Sequence, residues 1–489
     1  MFGKPMRKKL VGFFSITLAA LLLLGGCALQ KPSVLDPGNP VTITVWHYYN
    51  GPQLSAFDAL TDAFNSSVGK EKGIYVVGYS KGSVSDLESA LQDSLTGKVG
   101  AEPLPDIFSS YADMAYSAEQ AGKLANLSDY FSPDELDAYI GAYVEEGRIA
   151  TDGSLRIFPV AKSTEITMLN KTDWDIFAAA TGVTLEQLET VEGGVQVAQT
   201  YYQWTDSLTP DIPDDGKAFY GRDALANYFY ISARQMGQEL LRVEGDQVTL
   251  NADKTVLRRL WDNYYVPMVS GWFGAYGKFR SDDVKTGDLL AYTGSTASAG
   301  YFPAQVETES DAHPIDYLVL PAPVFAGGEK IAVQQGAGMV VTKSDTRRET
   351  AAVEFLRWFT QAENNIVFGA GSGYLPVRKQ SQQIDTFRQV VAEKNVTMNP
   401  ITNTCIRYVL EDMDDYTYYS PKYFAKGTAV RSVLEHHLTD QAQADLADIQ
   451  AAVAAGRSRA EVLKRYVNDE AFEVWYDSFV QCLYQAAAQ

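Results

Sequence analysis

Aromatic and polar side chains cluster where two predicted strands end. One strand, 41–46 (VTITVW), shows β-branched alternation and runs into HYYNGP. The other, at 105–108 (PDIF), runs into SSYAD. Aromatic rings stack on the C–H faces of a sugar, and hydroxyl, amide and carboxylate groups bind its hydroxyls. The candidate ligand contacts at these two strand ends are Trp46, His47, Tyr48, Asn50, Ser110, Tyr111 and Asp113, of which His47 has the residue type most often used for structural hydrogen bonds.

A short polar run, 162–165 (KSTE), lies between two apolar stretches. The preceding stretch, 155–158, reads as a strand, and Pro159 lacks the backbone donor that a central paired strand needs. A strand that leaves one packed body, exposes a polar run and enters a second body is typical of a two-lobed protein with a cleft. The pattern predicts that Glu165 lies at the cleft floor as a hydrogen-bonding group.

Five later residues are further candidates for ligand contact. Trp272 lies in a glycine-containing loop and Tyr374 follows a glycine-rich stretch, so both rings are candidates for stacking. Gly294 and Ser295 belong to a turn of small residues (TGST) with spare backbone donors. Gly338 lies in VQQGAGMVV, which predicts a strand whose glycines allow close backbone approach.

Strands alternate with amphipathic helices from residue 41 to about residue 143. Leu54, Phe57, Leu60 and Phe64 recur at helical spacing after the first strand, and a strand at 74–77 leads to a capped helix. This alternation is typical of βαβ units and a mostly parallel sheet. In open sheets of this kind ligands bind beyond the carboxyl ends of the strands, which is where the aromatic and polar residues occur.

The amino terminus reads as a lipoprotein signal peptide over residues 1–26. Four basic residues precede an apolar stretch, which is short for a membrane-spanning helix, and LGGC resembles a lipobox. Cys27 would then carry the lipid as the new amino terminus. Residues 27–40, rich in Pro, Gly and polar residues, are predicted to form a flexible tether.

Charge narrows the range of partners. Four of the 41 Lys and Arg residues precede Cys27, which leaves 37 against 61 Asp and Glu, a net charge of −24 for the remaining 463 residues. This balance argues against nucleic acid and against charge-driven binding to anionic lipid. An exported protein could pair Cys405 with Cys482, although two free thiols are also compatible with the sequence.

An extracellular hydrolase is the main alternative. Ser80 lies in a G-x-S-x-G match after a strand, the pattern of a nucleophile elbow. The following helix is too polar for close packing on a sheet, and the later histidines have no recognisable context; they are His313, His436 and His437. No metal-binding motif or P-loop occurs, so the sequence predicts no catalytic residues, no metal and no cofactor.

Several segments in a fixed order resemble one family. They are the lipobox, ITVWHYY, PDIFSSYADMAYSAEQAGKLANLSDYF, LRIFPVAKSTEITMLNK, LLAYTGST, LPAPVFAGGEKIAVQQGAGMVVTKS and AAVEFLRWFTQAENNIVFGAGSGYLPVRK. In this order they resemble the extracellular solute-binding lipoproteins of bacterial carbohydrate ABC importers, the maltodextrin-binding type of solute-binding family 1. The resemblance covers most of residues 41–400.

The resemblance implies an α/β, two-lobed periplasmic-binding-protein-like (type II) fold with several hinge crossings and a central ligand cleft. It implies a first lobe of 41–160 plus 321–362 and a second lobe of 161–320 plus 363–489. It also implies ligand contacts in the loops after the first and third strands, at Glu165, in the turn of Gly294 and Ser295, and near Gly338 and Tyr374.

The implied function is capture of a sugar or oligosaccharide and its delivery to the permease subunits of an ABC importer. The chain would act as a monomer, anchored by its lipid to the extracytoplasmic side of the cell membrane. A non-sugar solute, such as a peptide, polyol or sugar phosphate, is the alternative ligand.

Overall fold

The computed structural model describes residues 34–244, 247–308 and 312–488. The predicted signal peptide, Cys27 and the first part of the predicted tether lie outside these residues. The strands are Val41–His47 (β1), Ile74–Ser80 (β2), Ile107–Ser110 (β3), Ile157–Phe158 (β4), Glu165–Asn170 (β5), Tyr220–Arg222 (β6), Leu241–Glu244 (β7), Gln247–Leu250 (β8), Ala291–Ser295 (β9), Gln305–Glu307 (β10), Ala312–Pro314 (β11), Tyr317–Pro321 (β12), Ile331–Val333 (β13), Gly338–Val341 (β14) and Thr417–Tyr419 (β15).

The α-helices are Gly51–Ser66 (α1), Val68–Lys72 (α2), Val84–Thr96 (α3), Ala112–Gln120 (α4), Pro133–Leu136 (α5), Gly141–Glu146 (α6), Lys171–Thr181 (α7), Val191–Ser207 (α8), Leu225–Gln235 (α9), Lys254–Val269 (α10), Arg280–Lys285 (α11), Thr346–Phe359 (α12), Ala362–Ser372 (α13), Ile384–Glu393 (α14), Pro400–Asp412 (α15), Gly427–Ala454 (α16), Arg459–Leu463 (α17) and Asp469–Ala488 (α18). Four 3₁₀ turns lie at Leu127–Asp129, Leu185–Glu189, Thr296–Tyr301 and Gln380–Gln382. None of the helices in the described ranges combines the length and hydropathy that crossing a bilayer requires.

The first lobe is built on a five-stranded sheet in the order β2-β1-β3-β14-β4. β1 pairs in parallel with β2 and β3, whereas β14 runs antiparallel to β3 and β4. Four of the five strands, all except β14, therefore run in the same direction, as predicted for this lobe. The carboxyl ends of β1 and β3 are neighbours, so HYYN and SSYAD meet at one edge.

The second lobe is built on a four-stranded sheet in the order β12-β5-β9-β6. β5 is antiparallel to both β12 and β9, and β9 is parallel to β6. The long helix α16 packs on α9, α10 and α18, so the carboxyl-terminal helices belong to this lobe. Trp261, Trp475 and Phe479 are among the rings buried between them.

Three segments cross side by side between the lobes. Lys162 exchanges backbone hydrogen bonds with Leu375, and Ser163 exchanges them with Gln335. The predicted strand over 333–341 is therefore two strands, β13 and β14, because the residues between them form this crossing and Gly336 has a φ of +100°. Residues 362–377 contribute to both cores, since Phe368 is buried in the first and Ile366 in the second.

The possible disulfide is not formed in the structure. Cys405 is buried on α15, among apolar residues of the second lobe. Cys482 is half-buried on α18, and both thiols are free. Burial raises the pKa of the Cys405 thiol, which keeps it protonated and unreactive.

Candidate ligand-binding site

Three tyrosines from different segments meet at the cleft edge of the first lobe. The hydroxyls of Tyr48 and Tyr374 lie 3.2 Å apart, and the rings of Tyr48 and Tyr111 are stacked with centroids 6.5 Å apart. The backbone N–H of Ala337, in a crossing segment, donates to the Tyr48 hydroxyl at 3.4 Å. Burial raises the pKa of Tyr48 to about 12, so its hydroxyl stays a neutral donor and acceptor.

Glu165 lies at the start of β5 and is only 4% exposed. Arg222 Nη2 donates to its Oε2 at 2.8 Å, and Asn227 Nδ2 donates to its Oε1 at 2.9 Å. Asn227 also donates to Gln335 Oε1 at 3.0 Å and accepts from Arg431 Nη2 at 3.1 Å. Residues from β5, β6, α9, a crossing segment and α16 therefore form one polar network at the cleft floor.

The polar run before Glu165 is buried, not exposed as the sequence pattern predicts. Lys162 Nζ lies 2.8 Å from Glu146 Oε1 and donates to the Gly336 carbonyl at 2.9 Å. Thr164 accepts a backbone hydrogen bond from Thr296 at 2.9 Å. The Lys162 ammonium and the backbone groups of this run find partners on neighbouring segments, so the run can lie inside the hinge. Only the Thr164 hydroxyl is buried without a hydrogen-bond partner among these described residues.

Direct contacts join the lobes on the side of α1. The Tyr301 hydroxyl donates to Asn50 Oδ1 at 2.9 Å, and Gln53 Nε2 donates to the Ala297 carbonyl at 3.0 Å. Asn50 Nδ2 also donates to the Gly82 carbonyl at 3.2 Å. Asn50 therefore lies at the rim of the cleft, where it ties β1 to β2 and to the second lobe.

A second set of contacts joins the lobes at α4. The N–H of Phe424, which is buried in the second lobe, donates to Asp113 Oδ1 at 3.4 Å. The Tyr423 ring lies 5.4 Å from that of Tyr116, and its hydroxyl donates to the Arg148 carbonyl at 3.1 Å. Gly427 leaves room for the Asp113 carboxylate: an added Cβ would lie 2.0 Å from its Oδ1. The two lobes are thus closed against each other.

Asp113 is half-buried between the lobes. Burial raises the pKa of its carboxyl from 3.8 to about 6, against the opposing effects of the Phe424 N–H and the Arg431 guanidinium. Burial also raises the pKa of the Glu88 carboxyl, and the charge of Asp113 raises it further. Because the contact with Phe424 exists only when the lobes are closed, the pKa of the Asp113 carboxyl should differ between the closed and the open form.

The closed form should gain stability in mild acid through Asp113. A raised pKa means that the closed form holds the proton more tightly, so the stabilisation is complete below about pH 3.8 and is lost as pH rises through about 6. Between about pH 5 and pH 7.5, the melting temperature of the parent protein should fall relative to that of Asp113→Asn. Asp223 has a similarly raised pKa, but both proteins retain it. If the melting temperatures of the two proteins change with pH in parallel across this range, the raised pKa is wrongly assigned to Asp113.

Two residues of the first strand end are covered by other side chains. Trp46 is 4% exposed, and Lys81 Nζ lies 3.7 Å from the centroid of its ring. His47 is fully buried between Tyr49 and Phe57, and burial lowers its pKa to about 4. His47 is thus a neutral core residue, and we do not propose it as a ligand contact. Stacking on Trp46 requires Lys81 to move and stays a prediction.

The remaining predicted residues have structural partners. Trp272 packs against the second core, and Ser110 Oγ donates to the Tyr111 carbonyl at 2.9 Å. Ser295 Oγ accepts the Ala297 N–H at 3.2 Å and caps a 3₁₀ turn. An added Cβ on Gly294 would lie 2.7 Å from Asp223 Oδ2, so this turn needs a glycine.

Gly338 is required by strand packing. An added Cβ would lie 2.4 Å from Ile157 Cγ2 and 2.8 Å from the Phe158 carbonyl oxygen. The close approach predicted for this glycine is therefore to β4 within the sheet. Its contact with a ligand stays a prediction.

Ser80 is not arranged as a hydrolase nucleophile. It is the last residue of β2, it does not have a positive φ, and its Oγ donates to the Tyr49 carbonyl at 2.7 Å. His313 lies beside Asp173 in the second lobe, and His437 contacts Ser478 on α18. Among the described residues no group of His, Cys, Asp and Glu could hold a metal ion.

Sequence reasoning missed four residues of the cleft floor, namely Arg222, Asn227, Gln335 and Arg431. Gln335 had a weak signal, since it directly precedes the glycines of VQQGAG. Arg431 is 266 residues from Glu165 and lies beyond the segments that resemble the family. Only the packing of α16 on α9 brings it to Asn227.

Known structures share this architecture. The cyclic α-maltosyl-1,6-maltose binding protein from Arthrobacter globiformis superposes with a TM-score of 0.62 at 20% identity, covering 92% of this chain and 99% of that one. An ABC substrate-binding protein from Listeria monocytogenes in complex with cycloalternan gives 0.63 at 16%, covering 87% and 99%. UgpB from Mycobacterium tuberculosis in complex with glycerophosphocholine gives 0.61 at 17%, covering 88% and 100%. At these identities the likeness shows the fold.

The family is shown by the sequence itself. No curated protein sequence matches the chain significantly. The family model described as bacterial extracellular solute-binding protein matches residues 59–400, which is more than half of the chain. Its span includes the second of the two predicted strand ends, the hinge and the glycine-rich loops. The chain therefore belongs to the bacterial extracellular solute-binding protein family.

Proposed function

We propose that this chain captures a sugar or oligosaccharide between its lobes and delivers it to the permease of an ABC importer. One observation carries the proposal. Three tyrosine rings lie beside the Glu165–Asn227 network, and the crossing segment 335–337 touches both groups. Stacking surfaces and planar hydrogen-bonding groups are thus held together, as sugar recognition requires. The sugar-binding neighbours named above support the same ligand class.

Capture would proceed by closure of the lobes. A sugar docks on one lobe, the crossing segments at 162–163, 335 and 375 flex, and the other lobe covers it. The binding free energy shifts the equilibrium from open to closed forms. The closed form then presents one surface from each lobe to the permease, and ATP is hydrolysed by another chain.

We further propose that the protein is held at the extracytoplasmic face of the membrane by a lipid on Cys27. The lipobox and the preceding signal sequence support this anchor. The chain would act there as a monomer, because each chain has both lobes of the cleft. Mass spectrometry of the membrane-extracted protein should find a diacylated amino-terminal cysteine.

Binding can be tested with a thermal-shift screen of residues 28–489. The panel should contain mono- and oligosaccharides, polyols, sugar phosphates, peptides and metal ions. We expect one carbohydrate class to raise the melting temperature with concentration, because a ligand that binds the native state stabilises it. Shifts with peptides or metal ions alone would contradict the proposed ligand class.

Tyr111→Ala should weaken sugar binding by about tenfold or more, since buried aromatic contacts dominate binding energies. Tyr484→Ala is the matched control, because that ring lies exposed on α18. Calorimetric titration of both variants with the best sugar of the screen measures the effect. Equal affinities for the two variants would place the ligand away from the tyrosines.

A further inference from the structure

The first turn of α9 holds a carboxylate supplied by another helix. Ala224, at the N-cap position, has no side chain that could accept a hydrogen bond. Glu435 of α16 does so instead: the Leu225 N–H donates to its Oε1 and the Ala226 N–H to its Oε2, both at 3.0 Å. The free amides and the helix dipole at such an end favour an anion, and here the anion belongs to the protein.

Two arginines flank this helix end. Arg222 precedes it in the chain, is almost fully buried, and has an Nε without a hydrogen-bond partner in the described part of the structure. Arg431 lies one turn before Glu435 on α16. Among the described residues, the only hydrogen bond of its side chain is the one to Asn227. Its guanidinium forms no ion pair within the described residues, so most of its five N–H donors have no protein acceptor there.

Two carboxylates balance these positive groups. Glu165 forms an ion pair with Arg222, and Glu435 accepts hydrogen bonds from the first two amides of α9. Two guanidinium groups and a helix end would otherwise form a receptor for a phosphate or carboxylate. With Glu165 and Glu435 in place, the two guanidinium groups are matched by two carboxylates, and Asp113, which also interacts with Arg431, adds a third acidic group.

We propose that Glu435 makes the cleft selective for neutral ligands and excludes phosphorylated or carboxylated sugars. This inference rests on the proposed function for the identity of the ligand, but the role of Glu435 can be tested without it. An anion that approached α9 would meet a carboxylate that already uses both amides. A neutral sugar would meet donors and acceptors without that repulsion.

Inorganic phosphate is the first probe. It should raise the melting temperature of Glu435→Gln and Glu435→Ala with concentration, and leave the parent protein unchanged. Glu435→Gln keeps an acceptor oxygen for one amide, which protects the fold if the alanine variant is unstable. Asp440→Asn is the matched control, since Asp440 lies exposed on the same helix and the substitution removes the same charge.

The second probe is a neutral sugar from the screen and its phosphate ester. The parent protein should bind the ester at least about tenfold more weakly than the sugar. In Glu435→Gln, the ratio of the two dissociation constants should be smaller by a similar factor. Equal binding of sugar and ester by the parent protein would overturn the proposal. So would a gain of phosphate binding in Asp440→Asn that equals the gain in the Glu435 variants. If no sugar binds the parent protein, the proposed function fails, whereas the phosphate experiment still decides the role of Glu435.

Discussion

Replacing Glu165 by alanine should lower the free energy of unfolding by about 3–5 kcal/mol and abolish sugar binding. The substitution leaves the buried Arg222 guanidinium without its carboxylate and removes one acceptor of Asn227. A buried charge without a partner is one of the few changes that cost this much. Denaturant unfolding monitored by tryptophan fluorescence measures the loss.

The pairing itself can be separated from the loss of a side chain. Glu165→Ala combined with Arg222→Met should recover much of the stability, because no charge is then left buried. Glu473→Ala removes one partner of the exposed Lys254–Glu473 pair and should cost less than about 1 kcal/mol. A similarly small cost for Glu165→Ala would show that Glu165 is not buried against Arg222 in solution.

Replacing Gly427 by alanine should weaken sugar binding by about tenfold or more without destabilising the lobes. The added Cβ would overlap the Asp113 carboxylate, and this overlap exists only while the lobes are closed. Closure then requires the Asp113 side chain to rotate away from α16, which breaks its contact with the Phe424 N–H, or requires α4 or α16 to shift. The open form is not strained by the substitution. Alanine has a higher helix propensity than glycine, so the substitution should not destabilise α16 in the open form.

Gly141→Ala is the control for this prediction. Gly141 is also the first residue of a helix, and an added Cβ there meets no atom within 4 Å. Calorimetric titration gives the affinities, and small-angle scattering with saturating sugar gives the degree of closure. If Gly427→Ala binds as tightly as Gly141→Ala, the contact between Asp113 and α16 does not form in the bound state.

The sheet of the first lobe could be predicted because its signals are local. β-branched alternation marks β1, and the order of strands and helices requires that the ends of β1 and β3 lie on one edge. This reasoning predicted that Tyr48 and Tyr111 lie close together, and the structure stacks their rings, whereas their contact with a ligand stays a prediction. Gly294 was expected in a turn, but it lies in β9, where an added Cβ would meet Asp223, and its contact with a ligand stays a prediction.

The closed cleft could not be predicted because its contacts join distant segments. Phe424 reaches Asp113 across 311 positions, and no periodicity records that pairing. His47 was expected in a loop after a strand, but it is the last residue of β1, and Tyr49 and Phe57 enclose its ring. Glu435 had no signal, since a cap supplied by another helix leaves no motif at α9.

A crystal structure with the best-binding sugar of the screen tests the central claim most directly. We predict the sugar between the lobes, with a ring face on Tyr48 or Tyr111 and hydroxyls bonded to the network of Glu165 and Asn227. Density for the sugar outside this cleft, for example in the groove lined by Trp204 on the second lobe, would contradict the account.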